Sequence, residues 1–584
     1  MTGASNPSSS ARPEARAHAR PHVLVALFAL AVVVLWFAVL DYRKLVEPDE
    51  GRYAEVAREM LVTGDLVTPR LNGFKHFTKP PMQYWMTAAA YRLFGPNEWT
   101  ARLWSALAGM LGLLAVLFTM RRLFSAAAGA ASAAVLASSL YYVLFAQVAT
   151  IDMGLTLFVT LAMCAIMLGL AARTGSPGER GWMLGAWCAM GLALLSKGLI
   201  GVVIPLMSVA LYTLVQRQWR LWRRLHPLKG MCLMLTIAAP WFIAVSLRNP
   251  EFPRFFFLEE HFARYTSALH RREQPFWFFF PLLLAAMLPW TWLVLGGLRT
   301  GWRSAGSTNM FVPGRFLVLW AASIVLFFTF SRAKMPAYVL PAIPALAMLA
   351  GARLAALDAR ALLWRILPLL VLVGIAMLSA GLILPHAFAG DPYGVLYERY
   401  ALWLFAAAGV ALVAAGLIAL ARPARLLLTG CVALATLLAI QTCILGFESL
   451  SPLRSSHALA RQILTRLTPG TQVFMVGASY LTLPFYLDRT VLLAQETGQM
   501  SFGVRLEPHR AMLELDQLRE AWTGAAHALA LMHTRNYLDA RAAGLPMEVL
   551  CRDRKRVLVI KPQGPFDGAL KQAAPDCVLQ ALDD

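Results

Sequence analysis

Two adjacent carboxylates, Asp49 and Glu50, stand upstream of a basic run, Arg70-Leu71-Asn72-Gly73-Phe74-Lys75-His76-Phe77-Thr78-Lys79-Pro80-Pro81. A carboxylate can act as a general base or orient an acceptor. Lysine and arginine bond phosphate oxygens and stabilise charge that grows on a leaving phosphate. Together these residue types suit chemistry on a phosphate-bearing substrate. Further candidates lie along the chain: Asp152, Lys197, Glu260, His261, Arg264, Arg332, Lys334 and Tyr338. Most have a plainer reading beside the chemical one. Asp49 and Glu50 can simply begin a helix, where the dipole favours negative charge. Asp152 can cap one. Lys197 can snorkel to the interface. The basic run, Arg332 and Lys334 can bind lipid headgroups. Glu260 and His261 could hold a divalent metal, but Glu-Glu-His has no diagnostic ligand spacing.

The elements that must position these groups are set by hydropathy. The chain has 584 residues, of which 58% are hydrophobic and 15% charged, against about 25% charged in an ordinary soluble domain. The apolar residues fall in blocks of about 20, the length of a helix that crosses a bilayer. Thirteen candidate spans follow: 22–41, 101–120, 125–145, 153–172, 182–196, 198–216, 230–247, 276–298, 315–331, 337–352, 365–387, 401–421 and 426–447. The net charge of +21 invites a nucleic-acid partner, but the basic residues sit in short loops between apolar blocks, so none is expected. Arg121 and Arg122, Arg217 to Lys229, Arg299 and Arg303, and Arg422 and Arg425 fall on one side, which the positive-inside bias makes cytoplasmic. The N-terminus is then inside, after a disordered leader over 1–21. The candidates named above lie in the outer segments, where topology gives no reason for cations.

Within the first outer loop, 42–100, residues 47–60 read as a helix. Pro48 suits its first turn, Gly64 its stop, and Tyr53, Val56, Ala57 and Met60 form one apolar stripe. An amphipathic helix directly after a span is expected to lie in the interfacial plane. The tail, 448–584, changes composition and reads as a small α/β domain. Its strands are expected at 473–476, 528–532, 549–550 and 557–560, its helices at 455–468 and 509–522. Cys551 and Cys577 could pair there if the compartment is oxidising.

The series Pro48-Asp49-Glu50, Arg52-Tyr53-Ala54, Ala57-Arg58-Glu59-Met60, Gly64-Asp65, Asn72-Gly73 and Lys79-Pro80-Pro81-Met82-Gln83-Tyr84-Trp85 closely resembles the first loop of GT-C glycosyltransferases of the protein O-mannosyltransferase-like superfamily. Within it the chain looks most like the bacterial aminoarabinose lipid A transferases, and Phe330 to Pro341 also follows that pattern. The resemblance covers roughly residues 20–350. It implies a mainly α, polytopic GT-C fold over 22–447 in the bacterial inner membrane, with the active site and the 448–584 domain in the periplasm. It implies transfer of 4-amino-4-deoxy-L-arabinose from undecaprenyl phosphate to lipid A phosphate, with inversion, and so resistance to polymyxin and cationic peptides. No cofactor is required by it. Asp49, Glu50 and Asp152 become the site carboxylates; Arg52, Tyr53, Lys79, Lys197, Arg264, Arg332, Lys334 and Tyr338 become substrate-binding residues. A GT-C enzyme of other specificity, adding mannose to protein or a uronic acid to a glycan, is the nearest alternative. A lipid or sugar flippase is the alternative from another class, but transporters place ionisable residues near the midplane and often carry inverted repeats, and neither is visible.

Overall fold

The computed structural model describes residues 12–263, 273–304, 311–563 and 575–580. Its larger part is a bundle of apolar helices. Among the described residues, eight helices are long and apolar enough to cross a bilayer, and ten if each of two bent pairs counts as one span. The bent pairs are Ala126–Ala137 with Leu140–Ala146, at 64°, and Phe279–Ala286 with Thr291–Arg303, at 112°. The expected span at 182–196 lies in Pro177–Lys197, of 21 residues, which is not among the eight, and others are shorter helices. Ile200–Gln216 has 17 residues, which reach only about 26 Å at the α-helical rise. The first helix begins at Arg12, so the latter part of the expected leader is helical, and residues 1–11 lie outside the described ones. The centre of the bundle is Ile151–Ala171, buried almost all round, as a helix apolar on every face beyond its first turn is expected to be.

The tail holds a six-stranded sheet of order β5-β4-β3-β6-β8-β7. A short hairpin in the first loop, β1 (Arg70–Leu71) and β2 (Phe74–Lys75), precedes it in sequence. The sheet strands are β3 (Gln472–Val476), β4 (Leu492–Ala494), β5 (Ala511–Met512), β6 (Ala528–His533), β7 (Glu548–Arg552) and β8 (Arg556–Ile560). The first four run parallel, with Val473 opposite Leu529 and Leu493 opposite Ala511; β8 is antiparallel to both β6 and β7. The continuous apolar runs of β3 and β6 belong to central strands covered on both faces. β4 and β5 are too short to leave a periodic signal. The expected helix over 509–522 therefore begins late, at Leu515–Gly524, because Ala511–Met512 joins the sheet. The expected 455–468 helix is confined to His457–Leu464. Cys551 and Cys577 form a disulfide that ties β7 to the 575–580 segment.

The first loop and the tail share one hydrophobic core. Tyr53, Val56, Ala57, Met60, Tyr84 and Tyr91 pack with Leu459, Ile463, Met475, Leu481, Leu483 and Leu531. The Asp49–Thr63 helix ends where Gly64 takes a left-handed φ of 69°. It differs from the expected interfacial helix in being buried on nearly every side, Glu55, Arg58 and Glu59 included. The tail supplies the cover that the bilayer surface was expected to give.

Candidate active site

Asp49 opens the first-loop helix and is half exposed, its carboxylate 2.5 Å from Arg52 Nη2 one turn on. Its side chain does not cap the helix; the N-cap position is Pro48 and no side-chain cap bond forms. Arg52 also donates to Tyr53 Oη at 3.0 Å and to Gln499 Oε1 of the tail at 2.6 Å. Its guanidinium lies over the Tyr53 ring, 4.7 Å from the centroid. Tyr84, from the Met82–Phe94 helix, has its ring 6.1 Å from that of Tyr53. Burial pushes the Tyr53 hydroxyl up to about 12, and the charges of Asp49 and Asp152 add to this against Arg52. Tyr53 is thus a protonated donor at neutral pH that feels both carboxylates. Arg52 Nε and Tyr84 Oη are buried without a protein hydrogen-bond partner.

The second wall comes from the bundle. Asp152 sits in the first turn of Ile151–Ala171, and its carboxylate pairs with Lys197 instead of capping that helix. Lys197 ends Pro177–Lys197, where Gly198, at a φ of 81°, turns the chain into the next helix. Its ammonium lies 5.1 Å from the centroid of the Tyr338 ring, a cation–π contact. Lys197 therefore does not snorkel away; it stays at the helix break, held by an anion and a ring. Tyr338 lies in a 3-10 turn, Pro336–Ala342, and stacks 4.7 Å from Phe328. Lys334 donates to the Ser331 carbonyl at 2.9 Å, which fixes this turn, and Arg332 is exposed beside it. Neither reaches the Asp152 pair.

Lys79 lies 3.4 Å from Glu260 in the segment Arg254–Ala263. His76, beside it, is buried and bonded to Thr78 Oγ1 at 2.7 Å. Burial, with the cations Arg52 and Lys79, pushes its imidazole down to about 3, so it is neutral. Arg264 and the His261 side chain lie outside the described residues. Among the described residues no cluster of three or more His, Cys, Asp or Glu is arranged to hold a metal ion, and Glu260 faces Lys79.

Several expectations change. Glu50, expected beside Asp49 as a site carboxylate, points inward. It pairs with Arg102 at 2.7 Å through Nε and 2.9 Å through Nη2, and accepts from the Val46 and Ala149 amides. Burial pushes its carboxyl up, but Arg102 and Arg43 outweigh that and hold it at about 2. Adjacent helix positions face about 100° apart, so the two carboxylates cannot share one site. In the basic run, Arg70 is bound to the Gly73 carbonyl and Glu507, and Lys75 to Glu251; those two stitch the hairpin to its neighbours. Arg102 and Gln499 were not singled out from sequence. Arg102 had a signal, a charge at the start of an apolar span. Gln499 had none.

The chain matches the family model of dolichyl-phosphate-mannose-protein mannosyltransferase over residues 22–256 and that of the aminoarabinose transferase C-terminal domain over 459–561. It is 36% identical to the undecaprenyl phosphate-alpha-4-amino-4-deoxy-L-arabinose arabinosyl transferase of Edwardsiella ictaluri, over 62% of this chain and 66% of that one. It is 31% identical to the like-named protein of Erwinia tasmaniensis, over 67% and 72%. Its fold is similar to the crystal structure of ArnT from Cupriavidus metallidurans bound to undecaprenyl phosphate. That match has a TM-score of 0.86 and 36% identity, covering 95% of this chain and 99% of that one. Shared sequence across most of a relative's length, with near-complete overlap of the fold, shows that the chain belongs to the family of undecaprenyl phosphate-alpha-4-amino-4-deoxy-L-arabinose arabinosyl transferases.

Proposed function

We propose that this membrane enzyme transfers 4-amino-4-deoxy-L-arabinose from undecaprenyl phosphate to a phosphate of lipid A at the periplasmic face. The product carries a cationic sugar, which lowers surface negative charge and weakens binding of polymyxin and other cationic peptides. Two features support the outer placement. The Cys551–Cys577 disulfide suits an oxidising compartment, and Arg121 and Arg122 close the helix Glu98–Leu123 at the end away from the first loop. The observation that carries the reading is two charged pairs, Asp49–Arg52, whose arginine bonds the buried Tyr53, and Asp152–Lys197, whose lysine lies over Tyr338.

In the reaction the bond from the sugar C1 to the donor phosphate oxygen breaks, and a bond from C1 to an acceptor phosphate oxygen forms. Undecaprenyl phosphate leaves as a monoester. Lys79 exchanges Glu260 for the donor phosphate and stabilises its growing charge, and Lys197 does the same from the second wall. The acceptor phosphate has a second pKa of about 6 and is largely ionised at neutral pH, so it needs no general base. Asp49 and Asp152 therefore serve the sugar. They bind its ammonium group by charge-assisted hydrogen bonds and face the positive charge that develops at the ring. Tyr53 donates from the centre. Arg264 is assigned to the lipid phosphate by the family resemblance.

The test is mass spectrometry of lipid A from cells that carry the protein, the Asp49→Asn variant or the Asp152→Asn variant. The wild type should add one aminopentose, and each folded variant should lose most of that signal. Normal modification by both variants, or a different added sugar, would overturn the reading.

A further inference from the structure

We infer that Gln499, contributed by the C-terminal domain, is a positioning residue for the transfer reaction: it orients Arg52 and through it Asp49. The inference rests on the reading that Asp49 lines the transfer site. Gln499 lies in the loop that leaves the carboxyl end of β4, in a 3-10 turn, Gly498–Met500. Parallel α/β sheets carry their functional loops at this edge. From there its side-chain carbonyl accepts a hydrogen bond from Arg52 Nη1 at 2.6 Å, while Arg52 Nη2 holds Asp49 at 2.5 Å. The two bonds use different nitrogens of one planar fork, so the acceptor at one end fixes the rotation of the other.

Further contacts make the loop a fixed support. Three residues after Gln499, Phe502 stacks on Phe255 with centroids 3.8 Å apart and meets the edge of Phe77 at 5.8 Å. Gly503 lies so close to the Lys75 carbonyl that a Cβ there would stand 2.6 Å from it. The loop is thereby clamped onto the first outer loop and onto the segment that bears Glu260. A carboxylate held by a single arginine, half exposed, would otherwise share its partner with water.

The test compares Gln499→Leu and Gln499→Glu in the full-length chain reconstituted in lipid nanodiscs, with aminoarabinosyl undecaprenyl phosphate as donor and lipid A as acceptor. Leucine removes the acceptor atom at similar volume; glutamate keeps an oxygen for Arg52. The leucine variant should lose about tenfold or more in kcat, since misplaced groups are costly, with KM for the donor nearly unchanged. The glutamate variant should recover most of the rate. A leucine variant with wild-type kcat, or a glutamate variant as slow as leucine, would overturn the inference. If leucine does not fold, Gln499→Met, which also lacks the acceptor oxygen, takes its place with the same two outcomes. Asp49→Asn is run beside them: if it keeps full activity, the site reading itself has failed; if it is inactive while both Gln499 variants match wild type, only the positioning role has failed.

Discussion

At the residue scale, Asp49 and Glu50 are chemically alike and adjacent, yet they do opposite things. Asp49 is half exposed at the site, and Glu50 is 1% exposed with four hydrogen bonds, two of them from Arg102. Removing one partner of a buried pair leaves the other uncompensated. Glu50→Gln should therefore cost about 3–5 kcal/mol of stability, read as a lower melting temperature, while surviving folded enzyme keeps its specific activity. The pH dependence follows from the depressed pKa. The carboxyl is near 4.5 when unfolded and about 2 when folded. Its stabilisation is complete above 4.5 and disappears as pH falls through about 2. Acid unfolding of the wild type between those values should flatten in the variant. An unchanged acid transition would show that this pair does not set it.

At the element scale, the Asp49–Thr63 helix is held by what lies on both sides of it. Gly51 faces the tail so closely that a Cβ would stand 2.6 Å from the Thr482 amide nitrogen and 2.7 Å from the Leu481 carbonyl carbon. Both are backbone atoms and cannot rotate away. Gly51→Ala should push the tail off the helix at a cost of about 1–3 kcal/mol. Because the same helix carries Asp49 and Arg52, transfer activity should fall with it. A melting temperature within a degree of wild type would mean that the seam is softer than this packing implies. The pattern Tyr53, Val56, Ala57, Met60 announced one buried face of this helix; the second face, with Glu55 and Arg58 paired at 2.7 Å, carries charge and so reads as exposed until its partners are known.

For the whole molecule, the membrane bundle and the tail are joined through the first loop. Glu47 accepts from Ser456 and Thr482, and Asn72 pairs with the Val491 backbone through both its amide atoms. A chain ended before Glu448 would lose the cover of Tyr53, Val56 and Met60. Such a truncation should leave the bundle inserted but render the 42–100 loop sensitive to protease, and lipid A should go unmodified. A protease-resistant loop in the truncated protein would show that it folds without the tail.

The helices, the limits of the first-loop helix and the motifs that mark the family were legible in the sequence, because each is a local property. Apolar length, a proline at a first turn, a glycine at a left-handed stop and a short ordered motif need no distant partner. The strands β3, β6 and β8 were legible for the same reason, whereas β4 and β5 exist only because neighbours pair with them. The tertiary structure alone decided which carboxylate is buried and paired and which stays half exposed, which cations already have anionic partners, and that the tail reaches into the first loop. Those contacts cross large separations: 52 residues from Glu50 to Arg102, and 447 from Arg52 to Gln499. No local pattern encodes the partner of a buried charge, since its free energy depends on what the folded chain brings beside it.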